Sequence, residues 1–562
     1  MNHFLKFIQS HHLLRHFSSL PKLPYFTKIP SKYRSRAIKD AQQALTDYLH
    51  CTRYIPFVYA EHIAKNSLYS LSSLVSGIDF SAVSFNKNVL RLLRYHPINE
   101  YEFFFESIGI DYDEVSGLLP SNKFFFSEDE TVLDAACALS GFGLPWNRLG
   151  KLYKEDALIF RVSSKELKAR LCRIKEFGFS NNISVIGICL AFPCVLRGVG
   201  ELECEVAALL NDLKRVFVDF DLGNHVEANV DSWYEICRKM RMFYDLGCEK
   251  GKIGELMGRN KSLFLRHSEE VMVRKIEYFC RFLVRKEDVG LLILRSPEIL
   301  DFDLETPVIS VMGILKHFGL NADERNFIAK EYPYVLGRNK MANLPNVMKA
   351  LNLHEWLFNK IKDGNHLLLA NCAVSDLDED FDMDFRDSFE RIQFSRTPIH
   401  TTEKLIFLHR IGFGENSLTM KVLAHVHGTS AELQERFDSL LGMGITFSKL
   451  CKMVQTTPKV LNQSPETIAR KLNFLRYEMG VPLDYLDIFP AFLCFNLEKR
   501  IKPRYRFHKW LTENGLCTRN YSIASIVATG EKSFVARLSR IHPDAPKHWL
   551  ESFSYQEPGD GS

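Results

Sequence analysis

The chain has 562 residues, 46% of them hydrophobic and 25% charged, with 72 Lys and Arg against 68 Asp and Glu for a formal net charge of +4. That composition excludes a largely disordered chain, a collagen-like sequence and a small disulfide scaffold, and the length suits roughly two to four domains or one long repeat array. So small a net charge says nothing about nucleic acid by itself, and any message lies in its distribution.

The N-terminus is the first departure from the average. No Asp or Glu precedes Asp40, whereas Lys6, Arg15, Lys22, Lys28, Lys32, Arg34 and Arg36 supply +7. Phe4, Leu5, Ile8, Leu13, Leu14 and Phe17 lie within one helical stretch among them. An acid-poor, basic, amphipathic start is the signature of an organellar transit peptide. Arg15-His16-Phe17 followed by Ser18-Ser19 resembles the plant mitochondrial processing site. Residues 1–36 are therefore read as transit peptide and basic leader, with cleavage near Phe17/Ser18. The 13 cysteines are odd in number and contain no C-x-x-C pair, so they spell neither a zinc site nor a disulfide framework. The longest charge-free stretch, Phe177 to Leu196, is interrupted by Gly178, Ser180-Asn181-Asn182 and Pro193, and no membrane span is expected.

Residues 37–130 read as an irregular helical region with aromatic runs at Tyr101–Phe105 and Phe124–Phe126. Beyond them one unit recurs: an apolar helix, Gly, a cap, a second apolar helix, then Pro-x-x-Leu. Early copies carry Gly178 with Pro193–Leu196, and Gly319 with Pro333–Leu336. A copy without the Gly ends in Pro297–Leu300, and looser copies centre on Gly143, Gly247, Gly412 and Gly515. The clearest pair has Gly444 with Pro458–Leu461 and Gly480 with Pro490–Leu493. Successive anchors lie 32 residues apart (Gly412 to Gly444), 36 (Gly444 to Gly480) and 35 (Gly480 to Gly515). Gly ends the first helix in the left-handed conformation, Thr446 or Asn321 caps the second, and Pro stops it. Phe447, Leu450, Cys451 and Val454 fall on one helical face. No pair buries its apolar face alone, so the units must stack. The expected fold is all-α, an α-solenoid with repeats at 131–370 and 401–540 and a tail at 541–562.

The two arrays are separated at 371–400 by an acidic linker. Within it Asp376, Asp378, Glu379, Asp380, Asp382, Asp384, Asp387 and Glu390 face only Arg386, a local charge of −7. Such a block is a solvated loop or an interaction segment. Its alternating acids depart from a calcium loop, since Phe381 stands where that loop needs Gly. No phosphate loop, zinc-protease helix or nucleophile elbow occurs, and neither enzymatic chemistry nor a cofactor or metal is expected. The strongest local signal is Leu497–Lys509, where six cations surround Tyr505 and Phe507. On a helix Lys499, Lys502, Arg506 and Lys509 form one basic stripe and Arg500 and Arg504 a neighbouring one. Such a stripe can track phosphates.

The repeat and the near-C-terminal Leu497-Glu498-Lys499-Arg500-Ile501-Lys502-Pro503-Arg504-Tyr505 together resemble the plant mitochondrial transcription termination factor (mTERF) family over about residues 130–530. The resemblance implies a superhelix of repeats, each two α-helices and a short 3₁₀ turn, that binds double-stranded DNA and in plants sometimes RNA. It implies a role in organellar gene expression, with the six cations as nucleic-acid contacts. The expected protein is a mitochondrial matrix monomer, with the chloroplast as the other compartment considered. The competing function is a helical scaffold whose protein partner docks on the acidic 376–390 segment.

Overall fold

A computed structural model describes residues 25–81, 83–197, 202–371, 382–394, 397–519 and 521–553. The predicted cleavage point near Phe17/Ser18 and most of the acidic 376–390 run before Asp382 lie outside the described residues. The chain divides into two compact units between Glu269 and Glu270, inside the first predicted array rather than at the acidic linker.

The first unit opens earlier than the charge pattern suggests. Phe26 and Ile29 are buried, and the helix Ser31–Cys51 follows directly. Arg34 is a structural cap: its Nε donates to the Phe26 carbonyl at 2.8 Å, and its Nη2 to those of Thr27 and Ile29 at 3.1 and 3.3 Å. The basic leader read as 1–36 therefore overlaps the fold over residues 25–36. Charge alone does not separate a targeting arginine from a capping one.

The region 37–130 contains a degenerate repeat. The helix Glu100–Ser107 ends at Gly109 with φ 95°, a short helix Tyr112–Val115 follows, and a 3₁₀ turn Phe126–Glu128 closes it. Buried Glu100 anchors this module, accepting from Phe126 N at 2.8 Å and pairing with Arg53 at 2.6 Å.

In both units the repeats have the expected parts. Gly143, Gly178, Gly247, Gly319, Gly412, Gly444, Gly480 and Gly515 all adopt positive φ at the end of a first helix. In the copy without Gly, Leu283 takes the same conformation at φ 58°, and Asn352 does so after the helix Leu344–Ala350. Asn321 forms the expected capping box with Glu324, whereas the Thr446 side chain makes no capping bond. Pro297–Asp301, Pro458–Asn462 and Pro490–Cys494 are 3₁₀ turns. Like stacks on like: in the second unit Pro398–Arg410 packs on Ser430–Gly442 and that on Pro465–Asn473, Ser417–Leu423 packs on Phe447–Thr456, and Pro458–Asn462 packs on Pro490–Cys494. This is the layering of an α-solenoid.

The departures are local. The Pro333 turn runs into Arg338–Lys340, which pairs antiparallel with Val308–Ser310, the one small sheet among the described residues. Where His427 replaces Pro, no 3₁₀ turn forms. Asn462 of the next repeat reaches back instead, accepting from His427 N and donating to the His425 carbonyl, both at 2.8 Å.

One device absent from the sequence reading recurs in seven described repeats. A cation on the first helix donates to a carbonyl in the final turn of its own repeat. Arg170 reaches Leu196 O at 2.5 Å, Lys239 reaches Phe264 O at 3.0 Å and Lys275 reaches Phe302 O at 2.5 Å. Lys404 reaches Val426 O at 3.1 Å, Arg436 reaches Leu461 O at 3.0 Å and Lys471 reaches Leu493 O at 2.7 Å. Arg504 completes the series at Thr529 O, 2.6 Å. In the five repeats of Arg170, Lys239, Lys275, Lys404 and Arg436 the cation stands eight residues before the left-handed residue. Tyr101 holds that place in the degenerate repeat, its hydroxyl donating to Asp129 O at 2.9 Å. The turn's carbonyls have no intrahelical partner, and a charged donor satisfies them where water is excluded.

Candidate nucleic-acid interface

The six predicted cations lie on one continuous helical run. Leu497–Ile501 is a π-helical turn capped by Asn496, whose side chain accepts from Lys499 N at 2.7 Å. The α-helix Lys502–Glu513 continues it, with Pro503 in the first turn, where a missing N–H does least harm.

The two predicted stripes separate into an inner and an outer face. Arg504 is 2% exposed. Its Nη1 donates to the carbonyls of Ile526, Val527 and Thr529, its Nη2 pairs with Glu531 at 2.6 Å, and its guanidinium lies 4.4 Å from the Phe534 ring. Arg500 converges on the same turn, Nε reaching Val527 O at 2.9 Å and Nη2 reaching Ala528 O and Thr529 O at 3.0 and 2.6 Å. Burial, then the neighbouring Arg504 charge, push its pKa below the usual guanidinium range. The burial of Arg504 tells against phosphate contact by that residue, while Arg500 stays partly accessible. Arg504 satisfies the carbonyls that end the helix Ile523–Val527 from a fully covered position, whereas Arg500 is half-buried and commits its Nε and Nη2 to the same turn.

The other four face outward. Arg506 and Lys509 are more than half exposed and form only the surface pairs Arg506–Glu478, 3.2 Å, and Lys509–Glu513, 3.8 Å. Lys502 is more covered, bonded to Glu498 at 2.6 Å with its ammonium 5.9 Å from the Phe474 ring. Lys499 is exposed. Surface pairs of this kind contribute little and are readily exchanged for phosphate.

The preceding repeat adds residues the sequence reading missed. Its first helix ends in the π-helical turn Phe474–Glu478, packed against Lys502–Glu513 through Phe474 and Tyr505, ring centroids 5.9 Å apart. This sets Glu478 against Arg506 and carries Arg476 and Tyr477 beside it, with Tyr477 72% exposed and the Arg476 guanidinium 5.6 Å from its ring. An adjacent basic-aromatic pair just before the terminating Gly480 was the available signal. Arg476, Lys502, Arg506 and Lys509 can hold backbone oxygens, and the exposed Tyr477 offers a ring for stacking. Among the described residues no cluster of His, Cys, Asp or Glu is arranged to hold a metal ion.

Comparison with known proteins agrees with this architecture. The sequence pattern of the mTERF family matches residues 224–353 and 393–535. The chain is 57% identical, over 533 residues and 95% of both proteins, to "Transcription termination factor MTEF18, mitochondrial" of Arabidopsis thaliana. It is 25% identical to "Transcription termination factor MTERF8, chloroplastic" of the same plant, over 61% of this chain and 71% of that one. It is also 29% identical over 116 residues, 21% of this chain and 26% of the other, to "Transcription termination factor MTERF15, mitochondrial". Fold, repeat and likeness agree, and the chain belongs to the mTERF family.

Proposed function

We propose that this protein binds organellar nucleic acid, double-stranded DNA or RNA, in the mitochondrial matrix, and through it regulates mitochondrial gene expression, transcription or its termination included. It acts as a monomer without a cofactor. The observation that carries the reading is the outward face of Lys502–Glu513, where Arg506 and Lys509 stand exposed, with Arg476 and Tyr477 exposed on the π-helical turn packed against that helix. The termination-factor names of its relatives, mitochondrial for the one matched along nearly its whole length, support the process and the compartment. No described helix is long and apolar enough to cross a membrane.

The test is equilibrium binding of the purified chain to duplex DNA and to single-stranded RNA across a salt series. Arg506→Ala with Lys509→Ala lowers the slope of log affinity against log salt by about 1.8 on duplex, about 0.9 for each lost phosphate contact. Wild-type protein that binds neither nucleic acid, or binds without salt dependence, overturns the proposal.

A second reading, a protein-docking scaffold, rests on the helix Met383–Gln393. The helix carries the acids Asp384, Asp387 and Glu390 with the exposed Met383 at its start, and the exposed Phe394 follows it. This reading predicts partners that survive nuclease and are lost when residues 376–390 are deleted.

A further inference from the structure

The first unit carries another convergence of cations on an aromatic ring. Arg148 ends the 3₁₀ turn Trp146–Arg148, and Lys151 lies in the adjoining helix Leu149–Glu155. Tyr234 and Arg238 are four residues apart on the helix Val230–Asp245, hence on one face. The Arg148 guanidinium, the Lys151 ammonium and the Arg238 guanidinium lie 5.6, 5.7 and 5.5 Å from the centroid of the Tyr234 ring.

Nearby acids pair with one nitrogen of each arginine and not with the lysine. Asp231 takes Arg148 Nη2, and Glu269 takes Arg238 Nη2 at 2.5 Å. Glu155 is engaged by Arg241 at 2.7 Å and Glu235 by Lys239 at 2.8 Å. The exposed Lys151 forms no ion pair with these acids, and Arg148 Nη1 is buried with no acceptor. Although the Lys151 side chain reaches the surface, desolvation of its ammonium, then the Arg148 and Arg238 charges, hold its pKa below the usual lysine range. Arg148 Nη1 is covered by the protein and contributes its charge, while the exposed Lys151 ammonium beside it suits an anion with several oxygen acceptors. The aromatic face next to it suits a sugar or base attached to that anion.

We propose that Arg148, Lys151 and Tyr234 form a phosphate-oxyanion site, at which the nucleic-acid backbone meets the first unit. The site rests on the nucleic-acid reading above. Arg148 and Lys151 lie ahead of residue 224, where the matched family pattern begins. The same chemistry would take a free phosphate group, and the experiment separates the two sources.

Full-length wild-type protein, Lys151→Ala, Lys151→Glu and the surface control Lys168→Ala are titrated with duplex DNA and single-stranded RNA at 50 and 200 mM salt. Loss of one duplex contact shrinks the affinity ratio between those salts about 3.5-fold, which is a slope change of about 0.9. Lys151→Ala is expected to show it, Lys151→Glu at least as much, and Lys168→Ala no change. Wild-type binding with an unaltered slope in both Lys151 variants overturns the site and leaves the nucleic-acid reading standing. If the wild type binds neither nucleic acid, that reading falls and inorganic phosphate decides by calorimetry. Heat that Lys151→Glu abolishes retains the site for a free phosphate, and no heat overturns it.

Discussion

Arg504 and Arg506 stand two residues apart on one helix and have opposite surroundings. The Arg504 guanidinium is spent on three carbonyls and Glu531, out of reach of solvent. Arg506 is more than half exposed and pairs only with Glu478. The sequence presents both as members of one basic run, and composition weighs them equally. Their contrast shows that counting cations overstates the basic surface of this fold, because seven described repeats each use one to close a turn. The same contrast divides energies: inner cations act on stability, outer ones on affinity.

The largest expected effect comes from Arg504→Met. It strips the turn carbonyls of their buried charged donor, with Arg500 still reaching Val527 O and Thr529 O, and costs about 3 kcal/mol in denaturant unfolding. Arg506→Ala leaves the unfolding midpoint unchanged, and equal losses in the two would break the comparison.

Lys349 sharpens it from the other side. It is 9% exposed, lies 4.6 Å from the Phe447 ring and takes no turn carbonyl. Burial holds its pKa at about 8 against an ordinary 10.5. The unfolded chain therefore binds more protons between those values. The destabilisation is complete below pH 8 and fades as pH rises toward 10.5. Lys349→Met is expected to raise stability at pH 7 by up to about 3 kcal/mol, with the gain shrinking above pH 8, measured by unfolding across a pH series.

Lys471→Met, at an equally buried lysine that does take its carbonyl, moves stability the opposite way. It removes the charged donor while Gln463 Nε2 still reaches Leu493 O at 2.6 Å, so the loss is limited to about 1 kcal/mol, and thermal unfolding compares the two variants directly. The smallest effect is a gain. Leu283, 64% exposed at φ 58°, pays for a conformation glycine adopts freely, so Leu283→Gly stabilises by up to about 1 kcal/mol in the same assay.

The repeats were legible because each carries marks with a local physical meaning. Gly444 and Gly480 end helices, and Pro458 and Pro490 start turns, whatever surrounds them. The degenerate repeat at Gly109 was not legible, since its final turn has no Pro and its second helix, Tyr112–Val115, is a single turn. The candidate site was half legible. Helical spacing correctly put Arg500 and Arg504 on one face, but whether that face points inward depends on the turn at Val527–Thr529, some 25 residues on. Arg476 and Tyr477 entered the site through a π-helical turn, which periodicity does not foresee.

The cation-to-carbonyl bond also bears on how such a chain grows. Donor and acceptor belong to the same repeat, Arg170 with Leu196 as Arg436 with Leu461. A whole repeat can therefore be duplicated or deleted without separating this donor from its carbonyl. A half-repeat cannot, since it separates the two. Length variation in arrays of this design should come in whole modules, with breakpoints between a closing turn and the next first helix.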